Sequence, residues 1–224
     1  MGIVRFHREG YFWIAFTIGV GLIGALGLVF WSLPAWVGGL LGGLWGLWMV
    51  GILNFFRYPL RVCPSDPNVL YAPCDGKVVE VKRTFEPKYF HVEMQQISIF
   101  MSPLDVHVNW APAEGTVKVL QHRPGLYMVA WHPKASLLNE QTFLAVVSVP
   151  EERFYALRQI AGILARRIST YPQVGHSLRA GEEIGFIKFG SRVDVLVPLS
   201  AHLCVSVGMR VKGAYTPIAF WGEN

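Results

Sequence analysis

The sequence predicts a β-rich α+β domain, barrel- or sandwich-like, behind an N-terminal two-helix transmembrane hairpin, and three observations predict it. Residues 11–56 contain no Asp, Glu, Lys, Arg or His. Beyond residue 68 the chain breaks into short runs of alternating apolar and polar residues punctuated by Gly, Pro and Asn, the pattern of half-buried strands. A single run, 148–169, carries helix signals instead.

Taken in order, the uncharged segment is long enough for two crossings of about 20 residues each. Pro34 in "SLPAW" cannot continue a helix, and Ser32 is a good cap for the next one, so helices are expected over 12–31 and 35–55. A secretory signal has one short apolar core and then a cleavage site, whereas this segment runs for twice that length. Arg5 and Arg8 precede the first helix, Arg57 and Arg61 follow the second, and the turn between them is uncharged. By the positive-inside rule both ends are cytoplasmic. The expectation is therefore a hairpin anchor (1–58) in the cell (inner) membrane, carrying a cytoplasmic domain (59–224). Trp13, Trp31 and Trp36 suit the interface, while Trp45 and Trp48 suit either the interface or packing against the partner helix.

Composition narrows the function classes. The chain is 52% hydrophobic and 16% charged, too apolar for an ordinary soluble domain. Its net charge of +5 comes with no basic run and no interleaving of aromatic and basic residues, which points to an anionic membrane surface and away from nucleic acid. Cys63, Cys74 and Cys204 form no CxxC pair, which argues against a disulfide framework and a structural zinc site. Seven histidines show no paired metal-ligand spacing, so no metal is expected.

After the linker "FFRYPLRVCPSDPN", strands are expected in "VLYAPCDGKVVEVKR", with a turn at 73–76, and in "HVEMQQISIFMS", "VHVNWAP", "GTVKVLQHR", "YMVAWH" and "TFLAVVSVP". In "SVPEERFYALRQIAGILARRIS", Ser148 reads as an N-cap, Pro150 as an early helical residue and Glu151 as a capping-box partner. Glu151 and Glu152 at one end and Arg166 and Arg167 at the other suit the helix dipole. Phe154, Leu157, Ile160, Ala161, Leu164 and Ile168 form an apolar stripe that would pack on the sheet. Further strands are expected in "LRAGEEIGFIKFGS", "VDVLVP", "LCVSVGMRVKG" and "TPIAFW".

Three clusters place polar residues in apolar, strand-like surroundings: "PCDGKV", "SPLDVHVNWAP" and "FGSRVD". Together they supply Asp75, His107 and Ser191, a set recognised by roles in space and not by chain order. Each also has a plain structural explanation. Asp75-Gly76 is a common hairpin turn, Asp105 can bond its own turn, His107 can be a satisfied core histidine, and the Gly190-Ser191 pair can be a β-bulge.

"FFRYP" after a membrane segment, "APCDGKV", "ISIFMSPLDVHVNWAPAEG", "IAGILARRI" and "GFIKFGSRVDVLVP" together resemble the phosphatidylserine decarboxylase family in its shorter form, from about residue 55 to the C-terminus. The resemblance implies self-cleavage between Gly190 and Ser191 into 1–190 and 191–224. Serine attack on the least hindered carbonyl gives an ester. Elimination and hydrolysis then leave a covalent pyruvoyl group at position 191, the only cofactor implied. That group would form a Schiff base with phosphatidylserine, or a related serine phospholipid, and yield phosphatidylethanolamine. The resemblance also assigns Asp75 to orienting the base, His107 to acting as base, acid or both, and a homodimer or higher oligomer to the assembly. Longer members carry a second histidine where this chain has Trp110, and relatives commonly carry Arg where it has Gln141, which leaves the roles of Asn139 and Glu140 open. Arg57, Arg61 and Arg192 are candidates for contact with phosphate or carboxylate. Tethering beside a bilayer-bound substrate raises the effective enzyme concentration at that surface. Two other classes predict an intact chain: a lipoyl-like carrier module, which lacks a lysine at a suitable turn tip, and a serine hydrolase, which lacks the G-x-S-x-G elbow.

Overall fold

The computed structural model describes residues 5–31, 34–64, 66–126, 138–148, 153–162, 168–188 and 190–222. The chain forms two compact units, 1–60 and 61–224.

In the first unit α1 (Tyr11–Phe30) and α2 (Ala35–Phe55) form the expected pair of helices, each long and apolar enough to cross a bilayer. A short ladder joins their outer ends, with β1 (Arg5–Phe6) antiparallel to β2 (Arg57–Tyr58). Trp45 takes the packing option: its indole N–H donates to the Thr17 carbonyl at 2.9 Å. Gly21 makes room for it, since a Cβ there would lie 2.5 Å from the indole ring.

The named elements of the second unit are all strands. Its strands are β3 (Val69–Tyr71), β4 (Gly76–Glu86), β5 (Val92–Met101), β6 (Val108–Trp110), β7 (Gly115–Arg123), β8 (Gln141–Val147), β9 (Phe154–Ala161), β10 (Ile168–Thr170), β11 (Ser177–Leu178), β12 (Glu183–Ile187), β13 (Ser191–Pro198), β14 (His202–Leu203), β15 (Arg210–Val211) and β16 (Pro217–Phe220). The main sheet has the order β11-β7-β8-β9-β13-β5-β4-β15, and two three-stranded sheets, β10-β12-β6 and β14-β16-β3, complete the unit. The expected strand at 127–132 lies outside the described residues.

Val78, Ile97, Ile99, Leu144, Leu157, Val193 and Val195 are fully buried in one core on one face of the main sheet, each such side chain contributing about 1.5–3 kcal/mol. The opposite face holds a smaller apolar cluster of Met94, Phe143, Ala145, Ala156 and Leu196. In β4 the register shifts between Val78 and Glu80. Val79 is the extra residue of a bulge, which is why two valines adjoin in an otherwise alternating strand.

Two expectations are corrected. The helix expected over 148–169 is absent where the chain is described: residues 154–161 form β9. β9 lies between β8 and β13 and is buried or half-buried at every position. A strand covered on both faces reads as a nearly continuous apolar run, which periodicity alone cannot separate from a buried helix. The Ser148 backbone N–H donates to the Arg153 carbonyl at 2.7 Å between β8 and β9. The remaining residues of that segment, 149–152 and 163–167, lie outside the described residues. Asp75-Gly76 is likewise no hairpin turn, because β3 pairs with β16 while β4 pairs with β5 and β15.

Candidate active site

Ser191 opens β13, the strand between β5 and β9, with Met101 and Ala161 as its cross-strand partners. It is fully buried, and its hydroxyl meets the Met101 Sδ at 3.3 Å. Gly190 before it has φ +65°, in the left-handed region that a side chain disfavours. A Cβ there would meet no atom within 4 Å, so the backbone, not crowding, is what calls for glycine.

The Gly190 N–H points at His107 Nε2, 3.4 Å away. His107 is fully buried, and its Nδ1 lies 2.9 Å from the Asp105 carbonyl. The two contacts agree on one tautomer. Nδ1 carries the proton and donates to the carbonyl, while Nε2 presents its lone pair to the backbone beside Ser191. The turn after β5 builds this geometry. Asp105 Oδ2 accepts from the Ser102 N–H at 2.9 Å and from its hydroxyl at 2.7 Å, folding the chain back so that His107 returns toward the strand end at Met101.

Asp75 is held from two sides. Arg61 Nη2 donates to Oδ2 at 2.8 Å and Nη1 to Oδ1, while the Gly213 N–H donates to Oδ1 at 2.8 Å. The Arg61 guanidinium lies 4.8 Å above the Trp110 ring, so the residue at the second-histidine position serves as a platform for the arginine that holds Asp75. Burial pushes the Cys74 thiol well up, with Asp75 and Asp105 adding to the shift and Arg61 opposing it. Both carboxylates therefore act on one buried point.

The structure thus brings Gly190, Ser191 and His107 into one contact group, and Asp75 with Arg61 into another. The other two arginines are engaged with other partners. Arg57 donates through Nη1 to the Asn54 carbonyl at 2.6 Å and to its side-chain oxygen at 2.8 Å, within the N-terminal unit. Arg192 is 1% exposed and points away from Ser191, donating to Asp194 at 2.6 Å, Glu80 at 2.8 Å and Ser98 at 2.6 Å. Its guanidinium is committed to the protein's own groups.

Beside these lie residues whose roles the sequence left open, Asn139 and Glu140, and residues it did not single out, Asn109 and Gln159. Asn139 donates to the Ala161 carbonyl at 2.7 Å, and Ala161 N–H donates to the Glu140 carbonyl at 2.9 Å, so "NEQ" fixes the end of β9 opposite Ser191. Asn109 and Gln159 are fully buried amides, hydrogen-bonded to each other at 2.8 Å. The signal for Asn109 was its place two residues after His107, on the same side of a strand that is otherwise apolar. Among the described residues, no group of three or more His, Cys, Asp or Glu is placed to hold a metal ion.

Fold and candidate site together give an antiparallel-β domain in which a buried serine follows a glycine turn that contacts a buried histidine. The family model described as phosphatidylserine decarboxylase matches residues 50–219. A phosphatidylserine decarboxylase proenzyme of Amoebophilus asiaticus is 42% identical over 223 residues, covering 97% of this chain and 96% of the relative. That of Cytophaga hutchinsonii is 46% identical over 168 residues, covering 75% and 76%, and that of Cupriavidus pinatubonensis 38% identical over 214 residues, covering 95% and 93%. The chain belongs to the phosphatidylserine decarboxylase family.

Proposed function

We propose that this chain decarboxylates phosphatidylserine, or a closely related serine phospholipid, to the ethanolamine lipid, after cutting itself between Gly190 and Ser191. The observation that carries the reading is the lone pair of His107 Nε2 directed at the backbone of the Gly190–Ser191 pair. A serine hydroxyl is a weak nucleophile until a neighbouring base takes its proton, and the Nδ1 contact with the Asp105 carbonyl keeps His107 in the tautomer that can do so. The hydroxyl starts from a thioether, a weak partner that is easily given up.

Residue 191 also suits the group that cleavage would leave there. It is buried, so water is kept from the reacting carbon, and it stands at a strand end where two neighbouring strands fix its backbone. A pyruvoyl group at that position supplies a ketone that condenses with an amine and withdraws the electron pair left when carbon dioxide departs. His107 is assigned to returning a proton to that carbon. Asp75, held by Arg61 and Gly213, is assigned by the family resemblance to orienting the base in maturation. Arg61 holds Asp75 in this reading, and Arg192 holds the strand that carries Ser191.

The two apolar helices are read as a hairpin anchor in the inner membrane, with both ends and the catalytic domain on the cytoplasmic side. A substrate whose tails stay in the bilayer is then met at the surface without extraction. A homodimer or higher oligomer is part of the same proposal.

Intact-mass spectrometry of the purified protein in detergent, beside Ser191→Ala, tests the core of it. Two fragments, 1–190 and a 191–224 piece with a blocked pyruvoyl end, should form in the parent and not in the variant. One uncut chain in both would leave Ser191 without this chemistry.

A further inference from the structure

The Ser191 side of the core contains a relay of three hydrogen-bonding side chains. The Thr170 hydroxyl donates to Gln159 Oε1 at 2.8 Å, and Gln159 Nε2 donates to Asn109 Oδ1 at 2.8 Å. Gln159 stands on β9 opposite Val193, two residues from the Ala161 that pairs with Ser191. The relay has its own space: a Cβ at Gly185 would lie 2.8 Å from Gln159 Nε2 and 2.3 Å from the Ser169 carbonyl.

Oriented in this way, the relay leaves Asn109 Nδ2 directed at the Met101 Sδ, 3.8 Å away. The same sulfur receives the Ser191 hydroxyl at 3.3 Å. A thioether is a poor acceptor, and a buried amide N–H is costly to leave so weakly satisfied. Asn109 is therefore a strong donor, fully buried and fixed from behind, whose described acceptor is the one that the nucleophile itself uses.

We propose that Asn109 is the oxyanion donor for self-cleavage at residues 190–191, with Gln159 and Thr170 as positioning residues. The inference rests on the self-cleavage reading given above. In the step concerned, Ser191 Oγ bonds to the Gly190 carbonyl carbon as its proton passes to His107 Nε2. The carbonyl π pair moves onto oxygen, and the Asn109 N–H stabilises that charge. Collapse of the intermediate re-forms the carbonyl and breaks the bond to the Ser191 nitrogen, which takes the proton from His107. The product is an ester between Gly190 and Ser191, reached with no oxidant, reductant or co-reactant. A fixed amide donor at a developing oxyanion accelerates acyl transfer by about 10²–10³-fold.

The test follows fragment formation in freshly synthesised full-length chain in detergent, with and without hydroxylamine, which cleaves an ester once it has formed. Asn109→Leu should slow fragment formation by about 10²–10³-fold, and hydroxylamine should not restore it, because the ester is not reached. Thr170→Val should slow it by a smaller factor, while Thr170→Ser, which keeps the hydroxyl, should cleave close to the parent rate. The threonine pair decides the matter if Asn109→Leu fails to fold. Parent-like cleavage in Asn109→Leu, full rescue of it by hydroxylamine, or equal rates in Thr170→Val and Thr170→Ser would overturn the assignment. A parent chain that never cuts would instead overturn the self-cleavage reading itself.

Discussion

Ser191 and Arg192 adjoin in sequence, open the same strand and are both buried, yet they face opposite sides of the main sheet into unlike surroundings. On the Ser191 side the polar partners are soft or neutral: a thioether, an imidazole and two carboxamides. On the Arg192 side they are charged. Arg192 joins Glu80 on β4 and Asp194 on its own strand, and Arg158 Nη1 on β9 lies 3.5 Å from the far oxygen of Asp194. A buried charge locks its neighbours in place, because moving a partner away leaves it unpaired. Neutral groups can be re-paired at little cost, which is what a nucleophile needs. In the proposed reaction the strand would carry its reactivity on one face and its rigidity on the other.

Removing the proposed base from the neutral face has the largest expected effect. His107→Gln should slow self-cleavage by about 10²–10⁴-fold, measured as the rate of fragment appearance, with little change in the thermal midpoint. Arg192→Met attacks the other face. It should lower unfolding free energy by up to about 3–5 kcal/mol, because the buried Asp194 loses its closer cation and Arg158 stands at 3.5 Å. Denaturant melts measure this, and the cleavage rate of the molecules that remain folded should fall far less than in His107→Gln. If Arg192→Met matched His107→Gln in rate while leaving stability intact, the division between the faces would fail.

The smallest effect belongs to Glu80, whose side chain is 28% exposed. Partial burial raises its carboxyl, but hydrogen bonds from Lys82 and Arg192 outweigh that and hold it below the usual glutamate range. A depressed folded value means that this stabilisation is complete above the ordinary glutamate range and is lost as pH falls through the folded value. Glu80→Gln should therefore cost under about 1 kcal/mol near neutrality. The gap between variant and parent should close on acidification, as seen in paired melts across the acid limb.

Charge and turn chemistry made much of this legible. The helix ends around Pro34 and the strands of the main sheet follow from uncharged length and from period-2 alternation. Gly190-Ser191 and His107 stand out as polar residues in apolar runs. What was hidden has one physical cause, that strands buried on both faces lose their alternation. β9 looked helical for this reason, and the error concealed Gln159, which a helix would have put in solvent and the strand turns into the core beside Asn109. Long-range partners were equally out of reach, because nothing local ties Arg61 to Asp75 or Glu80 to Arg192.

The position of β13, hydrogen-bonded along both edges by β5 and β9, has a thermodynamic consequence if the chain is cut as proposed. The 191–224 fragment would stay bound with no covalent link, a nicked protein held by its ladder and by the Arg192–Glu80 pair across the break. Unfolding then becomes dissociation as well. The midpoint of a cut sample should rise with protein concentration, while that of the uncut Ser191→Ala chain should not. Recovery after denaturation becomes a second-order search by a short fragment for its slot, so maturation turns a renewable fold into one assembled once.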